Sequence, residues 1–466
     1  MKIYVLGWLG AIKLYPYNAP GSVFIVFMEP YRKELTMYNK NYISVGIDVG
    51  SAFSFMTILA PDETVILKPF KITHNNKDSL ERAVSEIKKA EELYSLESRT
   101  FLEFTGIYHF PLFCYLVDCG FNASIINPII THSTKNGNIR KVKNDKIDSK
   151  GIAKLGLSKD VPVSQFPEKL VLELRSLTRK YYDLTDERSA HINKLKGDLH
   201  TVFPQYLDIF CDVTGKTSTM ILRQYGTPDK ILRGHKKTMI EKISKASRKG
   251  LAKASERYEK LCAAANAAKT FGCQIDSIYF NISLTLDLVE KLDSALDSIL
   301  NRIRQLITFN KNEKFIQQIK LLNTIPGVGF LTAVTIMCEI GDFSAFRNPK
   351  QLFAYFGLDP EVNESGKFVG TQLHMSKRGS RIARRAIFAV ALASIRTKRN
   401  GEGINPYLRK YYELKSVQKP KMVAIGAVMH KVCNVVFAVL RDKKAFELRS
   451  PEEHCKQYQR AALAAA

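Results

Sequence analysis

Between Tyr42 and Pro128, short apolar runs and turn signals follow one another in an order that few folds accommodate. YISVGIDVGS is an apolar strand closed by an aspartate and a glycine, and FSFMTILA and TVILKPFKI follow as two more strands around the turn PDE. SLERAVSEIKKAEELY then places apolar residues at helical spacing opposite a charged face. RTFLEFTG is a fourth strand, YHFPLFCYLVDCG a helix and FNASIINP a fifth strand. Three strands first, then alternating helix and strand, predict a mixed sheet with helices packed on it.

The acids of this region fall at particular places. Asp48 ends the first strand and Glu103 lies near the end of the fourth. Asp145 and Asp148 open the helix predicted from NDKIDSKGIAKLG, three apart and so on one helical face. Strand-end and helix-start carboxylates can converge at one edge of the sheet, where they repel unless a divalent cation neutralises them. Hard oxygen ligands suit Mg²⁺ or Mn²⁺. Lys141, Lys143 and Lys146 surround the two aspartates, placed to hold a nucleic-acid backbone beside the metal. Each acid alone reads as surface charge or a helix N-terminal carboxylate, and Asp145 as an N-cap; the joint placement points to metal.

The charge balance agrees. The 466 residues carry 70 Lys+Arg against 45 Asp+Glu, a net charge of +25, and the pI is near 9.6. A solvated surface alone explains this less well than a polyanionic partner, nucleic acid first among them. Eight cysteines without a CxxC pair fit neither a zinc site nor a disulfide framework, so a reduced, cytoplasmic setting is expected. No apolar run reaches the roughly 18–20 residues of a membrane span, and no membrane partner is expected. Residues 1–40 read as an extension of doubtful origin, with Met28 and Met37 as later candidate starts, and AALAAA reads as a scar.

Residues 168–203 carry Leu170, Leu174, Leu177, Tyr181, Leu184, Ile192, Leu195, Leu199 and Val202 at helical steps, describing one long amphipathic helix. A turn at 226–230 and a lysine- and alanine-rich helical stretch separate it from a second long stripe over 283–307. An antiparallel coiled coil with a small insertion is expected. Its charged face is read as solvated, with Arg179, Lys180, Lys194 and Lys196 as possible nucleic-acid contacts.

Further on, IPGVG sits between apolar helical segments. That is the pattern of a helix-hairpin-helix, whose glycines, here Gly327 and Gly329, let backbone N–H groups approach a phosphate. The alternative is a tight interhelical turn buried in the protein. From Ser376 to Arg399 there are eight basic residues and no acid. Beyond Ser380 a helix is predicted with an apolar face through Ile382, Ala386, Ala389, Val390 and Ala393. Arg381, Arg384 and Arg385 fall on another face that can hold phosphates, with Lys377 and Arg378 just before it. Ser376 is then within reach of a bound phosphate. A serine hydroxyl needs activation to act as a nucleophile, and on its own such a serine more often caps a helix, for which Ser380 is better placed.

GIDVGS, FLEFTG and KNDKIDSKGIAKL together resemble the RuvC-like DEDD domain of the insertion-sequence one-ten family of transposases. IPGVGFLTAVTIMCEIGDFSAFRNPKQLFAYFGLDP followed by HMSKRGSRIARRAI resembles the C-terminal domain of the same family. The resemblance covers most of residues 42–440; the 40-residue lead departs from it. It implies an RNase H/RuvC-like DEDD domain over 41–165, a helical coiled-coil domain over 166–315, a helical serine transposase domain over 316–445 and a tail over 446–466. It implies that Asp48, Glu103, Asp145 and Asp148 hold Mg²⁺ or Mn²⁺ and that Ser376 is the nucleophile. It further implies excision and insertion of a mobile element, donor and target DNA, a guide RNA, and a homo-oligomer, dimer or tetramer, working at a bacterial or archaeal nucleoid. Two other functions remain open on the residues: a metal-dependent Holliday-junction-type endonuclease, and a non-catalytic nucleic-acid-binding protein.

Overall fold

The structure is a computed structural model that describes residues 42–103, 108–126, 145–158, 169–310, 313–361, 364–365, 368–369, 374–450 and 452–456. Lys141 and Lys143 lie outside these residues, as do the side chains of Asp145 and Lys146. Residues up to Phe166 and residues from Pro167 onward form two compact units.

The first unit is built on a five-stranded sheet: β1 (Ile43–Val49), β2 (Phe53–Leu59), β3 (Val65–Thr73), β4 (Ser98–Glu103) and β5 (Asn122–Ile126). The order is β3-β2-β1-β4-β5, antiparallel on the β3 side of β1 and parallel from β1 through β5. Helices α1 (Lys77–Tyr94), α2 (His109–Asp118) and α3 (Asp145–Gly156) accompany it. Val45, Ile47, Met56, Leu102 and Phe113 are buried in its main core with Ile87 of α1.

Helix α3 lies directly against β1. Tyr42 Oη donates to the Gly156 carbonyl at 2.8 Å, and Ser44 Oγ to the Ala153 carbonyl at 2.7 Å. A Cβ on Gly46 would fall 2.2 Å from Ala153 N and 2.4 Å from Ser149 O, so only glycine allows this approach. Thr57, the register partner of Gly46 on β2, bonds Ser149 Oγ at 2.7 Å. As the strand advances from 42 to 46, the helix recedes from 156 to 149, so the two run antiparallel.

The second unit is mostly helical. α4 (Lys169–Val202) and α10 (Asp276–Phe309) are its long pair. Leu174 of α4 shares a core with Ile303 of α10, whereas Leu195 and Leu199 share one with Ile282 and Leu286, which makes the pair antiparallel. Between them come α5 (Tyr206–Ile209), α6 (Lys216–Gln224), α7 (Pro228–Arg233), α8 (Lys236–Ser247) and α9 (Gly250–Thr270), which pack around Tyr206, Ile221, Met239 and Leu261.

The chain continues through α11 (Glu313–Leu322), α12 (Phe330–Ile340), α13 (Pro349–Tyr355), the short strands β6 (Glu364–Ser365) and β7 (Phe368–Val369), α14 (Arg381–Ile395), α15 (Pro406–Gln418) and α16 (Lys421–Asp442). The base of the long pair belongs to the same core as α12, α14 and α16, through Leu170, Leu174 and Ile303. α16 is long and apolar enough by composition to cross a membrane, although Lys431 interrupts its apolar run; Val428, Val432, Val436 and Leu440 are buried in this core. The buried face of α14 is also rotated from the prediction. Ala383, Ile387 and Ala391 join Ile382, Ala386 and Val390 inside, and Ala389 is exposed, because both α12 and α16 press on this helix.

Candidate functional site

In the first unit, the last bonded pair between β1 and β4 is Ile47 with Leu102, so Asp48 and Glu103 stand one register step further on, at the ends of neighbouring parallel strands. Alternation puts Asp48 on the face of Ser44 and Gly46, and Glu103 on the face of Phe101. That is the face α3 covers, since a Cβ on Gly156 would strike the Phe101 ring. One two-residue step along a strand, roughly 6.7 Å, matches between four and five residues of helix at about 1.5 Å each. Continuing past Gly46 and Ser149–Ala153, the step to Asp48 therefore reaches the first turn of α3, the turn of Asp145 and Asp148. Glu103 is buried, and Asp48 and Asp148 are half-buried.

Carboxylates brought to one sheet edge are the donor set that a hard divalent cation takes. Among the described residues no three His, Cys, Asp or Glu side chains are grouped closely enough to hold a metal, and the Asp145 side chain lies outside that description. The residues fit the ion in donor chemistry, while Asp48, Glu103 and Asp148, though at one sheet edge, are not grouped closely enough among themselves to hold it.

In the second unit, Ser376 sits on a loop laid against the segment after α13. Ser376 N donates to the Asp359 carbonyl at 2.8 Å, Glu361 N to the His374 carbonyl at 2.8 Å, and Lys377 N to the Gly357 carbonyl at 3.0 Å. Gly357 has φ +66°, and a Cβ there would meet Gly379 N at 2.5 Å. A Cβ on Gly379 would meet the Tyr355 carbonyl at 2.0 Å. Lys377, with φ +53°, takes the left-handed conformation this contact requires. The Ser376 hydroxyl donates to Asp359 Oδ1 at 2.6 Å. Ser380 caps α14 by accepting from Ala383 N at 3.1 Å, the role expected of it.

The three arginines of α14 have different surroundings. Arg384 Nη1 donates to the carbonyls of Phe356, Lys377 and Gly379 at 3.2, 3.2 and 2.6 Å, binding the serine loop to the helix. Arg385 pairs with Asp186 of α4 at 2.7 Å and stacks over Tyr182 at 4.8 Å. Arg381 is 3.8 Å from Asp183 and remains exposed. Lys377 and Arg378 are exposed beside Ser376. Gly327 turns at φ +96° with a Cβ position 2.7 Å from Ser394 Oγ, so that side of the IPGVG turn packs on α14. Gly329 is exposed at the start of α12.

Beneath the loop, Glu339 of α12 is buried against a fork of Arg179 at 2.9 and 3.0 Å. Burial alone would raise this carboxyl, but the Arg179 hydrogen bonds, the Ser380 hydroxyl and the Arg175 charge together hold it below its ordinary value. Sequence reasoning missed Asp359 and Glu339. Asp359 lies 17 residues from Ser376 and meets it only because the chain folds back, and Glu339 is one acid in an otherwise apolar helix.

The net charge is unevenly spread. Residues 216–270 hold fourteen Lys/Arg against four Asp/Glu, a net +10 within a chain of +25. On α9 and just before it, Lys249, Lys253, Arg257 and Lys260 follow one another at helical spacing along a cleft of about 520 Å³ that Gln205 and Asp208 also line. Among the described residues, Lys245, Arg248, Lys249 and Lys253 have no carboxylate within ion-pair distance, whereas Lys260 pairs with Glu256 at 2.7 Å.

A DEDD transposase model of IS110 matches residues 45–204, and a model described as Transposase IS116/IS110/IS902 family matches residues 319–413, together more than half of the chain. An insertion element IS110 protein of 43.6 kDa from Streptomyces coelicolor is 23% identical over 290 residues, 62% of this chain and 67% of the relative. An insertion element IS116 protein of 44.8 kDa from Streptomyces clavuligerus is 25% identical over 312 residues, 66% and 74% respectively. A pilin gene-inverting protein of Moraxella bovis is 30% identical over 177 residues, 38% of this chain and about half (52%) of the relative. With the two family models together matching more than half of the chain, the chain belongs to the IS116/IS110/IS902 family of transposases and is a DNA transposase/recombinase.

Proposed function

We propose that this transposase cuts and rejoins DNA through a serine–DNA phosphodiester formed on Ser376. The observation that most supports the reading is the fixed placement of that hydroxyl, on a loop tied by backbone bonds to Asp359 and Gly357 and by Arg384 to α14. Near-attack geometry requires a nucleophile with little freedom left to lose. In the step, Ser376 Oγ bonds to a phosphorus, the bond from phosphorus to one strand's oxygen breaks, and that strand leaves with a free hydroxyl. A second strand's hydroxyl then attacks the phosphoserine and releases the serine. One phosphodiester is exchanged for another in each half, so rejoining needs no energy source, whereas hydrolysis would discard the bond. Lys377 and Arg378 hold the phosphate by charge.

The strand order β3-β2-β1-β4-β5 and the helix on β1 support an RNase H/RuvC-like domain. In this reading Asp48, Glu103, Asp145 and Asp148 hold Mg²⁺ or Mn²⁺. When bound there, the ion would supply charge neutralisation at a phosphoryl oxygen. Because binding has its own readout, Mn²⁺ titration followed by electron paramagnetic resonance tests the ligand set. Asp48→Asn and Glu103→Gln should each weaken Mn²⁺ binding; unchanged binding in both would reject it. Donor and target DNA, and a structured guide RNA, are the proposed partners, with the +10 helical insert and the exposed Gly329 end of the IPGVG turn supplying phosphate contacts. Recombining two duplexes takes several strand exchanges, so a homo-oligomer is part of the proposal, as is work at the nucleoid of a bacterial or archaeal cell.

The test is a denaturing gel of protein incubated with its RNA and DNA carrying the element's junction. A protein-linked DNA band that disappears in Ser376→Ala supports the reading. Cut DNA without such a band, unchanged in Ser376→Ala, would replace it with a hydrolytic nuclease.

A further inference from the structure

We infer that Asp359 accepts the proton of Ser376 as the serine attacks, and returns it when the serine is released. The inference rests on Ser376 being the nucleophile. An ionised carboxylate can only accept, so the 2.6 Å contact to Oδ1 fixes the hydroxyl hydrogen toward Asp359 and leaves the Oγ lone pairs to face a phosphate. The separation is in the short range of O–H···O⁻ bonds.

The pair is also held on both sides by backbone. Ser376 N donates to the carbonyl of Asp359 itself, Pro360 and Met375 form an antiparallel bridge, and Lys377 N reaches Gly357 O. The acceptor and the nucleophile are therefore anchored to one another before any DNA binds. Gly357 and Gly379 set the closeness of the two segments, since a Cβ on either would meet backbone atoms. None of the arginines of α14 can do this work, because a guanidinium does not deprotonate an alcohol.

An aspartate is a weak base for a free alcohol, so the transfer is coupled to attack. As the Oγ–P bond forms, the hydroxyl becomes strongly acidic and its proton passes to Oδ1, leaving Asp359 a neutral carboxylic acid. The departing strand's oxygen takes its proton from solvent. In the second half, the incoming strand's hydroxyl attacks phosphorus and gives its proton to solvent, the Oγ–P bond breaks, and Oγ recovers the proton from Asp359. Protons and phosphodiester bonds balance over the cycle, with no other reactant.

A carboxylate at this place can instead be a staple that shapes the loop, and one substitution separates the two roles. Asp359→Asn keeps an acceptor oxygen for the Ser376 hydroxyl and removes the basicity; Asp359→Ala removes both. The measurement is single-turnover formation of the protein–DNA adduct, with DNA affinity and melting temperature recorded alongside. Proton acceptance predicts that Asn and Ala both slow the adduct by about 10²–10⁴-fold, the usual contribution of general base catalysis, at unchanged DNA affinity. Wild-type rates in Asp359→Asn with loss only in Asp359→Ala would overturn the inference and make Asp359 a staple. Should Asp359→Asn fail to fold, the wild-type rate in D₂O decides: slower adduct formation supports a proton in flight, and no isotope effect rejects it. Adduct that persists in Ser376→Ala would instead refute the serine reading beneath it.

Discussion

Ser376 Oγ and Asp359 Oδ1 stand 2.6 Å apart across 17 residues of chain, because Gly357 and Gly379 let their backbones touch. Gly357→Ala strikes this arrangement twice, by forcing alanine into φ +66° and by placing a Cβ 2.5 Å from Gly379 N. The expected cost is on the order of 2–4 kcal/mol, left-handed strain and overpacking together. Urea denaturation measures it, and adduct formation should fall with it. A midpoint equal to that of the wild type would show that the loop does not depend on this contact.

At the other end of the chain, Gly46→Ala tests how α3 is seated. The obstacle is the backbone of Ser149 and Ala153 rather than a flexible side chain, so the helix must move. A loss of roughly 1–3 kcal/mol is expected, with weaker Mn²⁺ binding because Asp148 moves with the helix while Asp48 stays on its strand. A stable variant with unaltered Mn²⁺ affinity would contradict the register.

The basic helical insert predicts a salt dependence. Replacing Lys249, Lys253 and Arg257 with glutamine should reduce the slope of log affinity against log salt by about 0.9 per lost phosphate contact on duplex DNA. Affinity should fall alike for unrelated sequences, since phosphate contacts carry no base readout. Fluorescence anisotropy across a salt series measures both. An unchanged slope would place the phosphate contacts elsewhere.

Glu339 predicts a pH dependence of stability. Its carboxyl is held below the ordinary value in the folded state, so its contribution is present above the unfolded carboxyl range, about pH 4.3, and is lost as pH falls through the folded value. Glu339→Gln should cost about 2 kcal/mol near neutrality, less than a fully buried pair because Arg179 is half exposed. The gap from wild type should close as the pH falls below about 4. A gap independent of pH would show that packing, and not the ion pair, sets the difference.

The parts that were legible in the sequence are those governed by local pattern. Alternation, turn residues and the acids at strand ends located β1 to β5, and apolar steps located α4. The apolar stripe puts the start of α10 at residue 283, but the helix begins at Asp276, because Ile278 and Tyr279 pack on the insert's core. That contact is tertiary, and the β-branched and aromatic run gave no local sign of it. The IPGVG motif leaves Gly327 open to a phosphate contact or a buried interhelical turn, and its packing on Ser394 depends on where α14 lies. The same limit hid Asp359, since no periodicity links residues 17 apart that meet through a folded-back loop. Arg384 shows the converse: its type pointed to phosphate, and its neighbours turn it to the carbonyls of the serine loop.

The most direct measurement is the site of attachment. The protein–DNA adduct would be isolated, digested with protease and nuclease, and sequenced by mass spectrometry. The account predicts a nucleotide linked through phosphate to the peptide containing Ser376, and to no other hydroxyl. A linkage mapped to a different residue, or junction DNA cut and rejoined with no linked peptide, would contradict it.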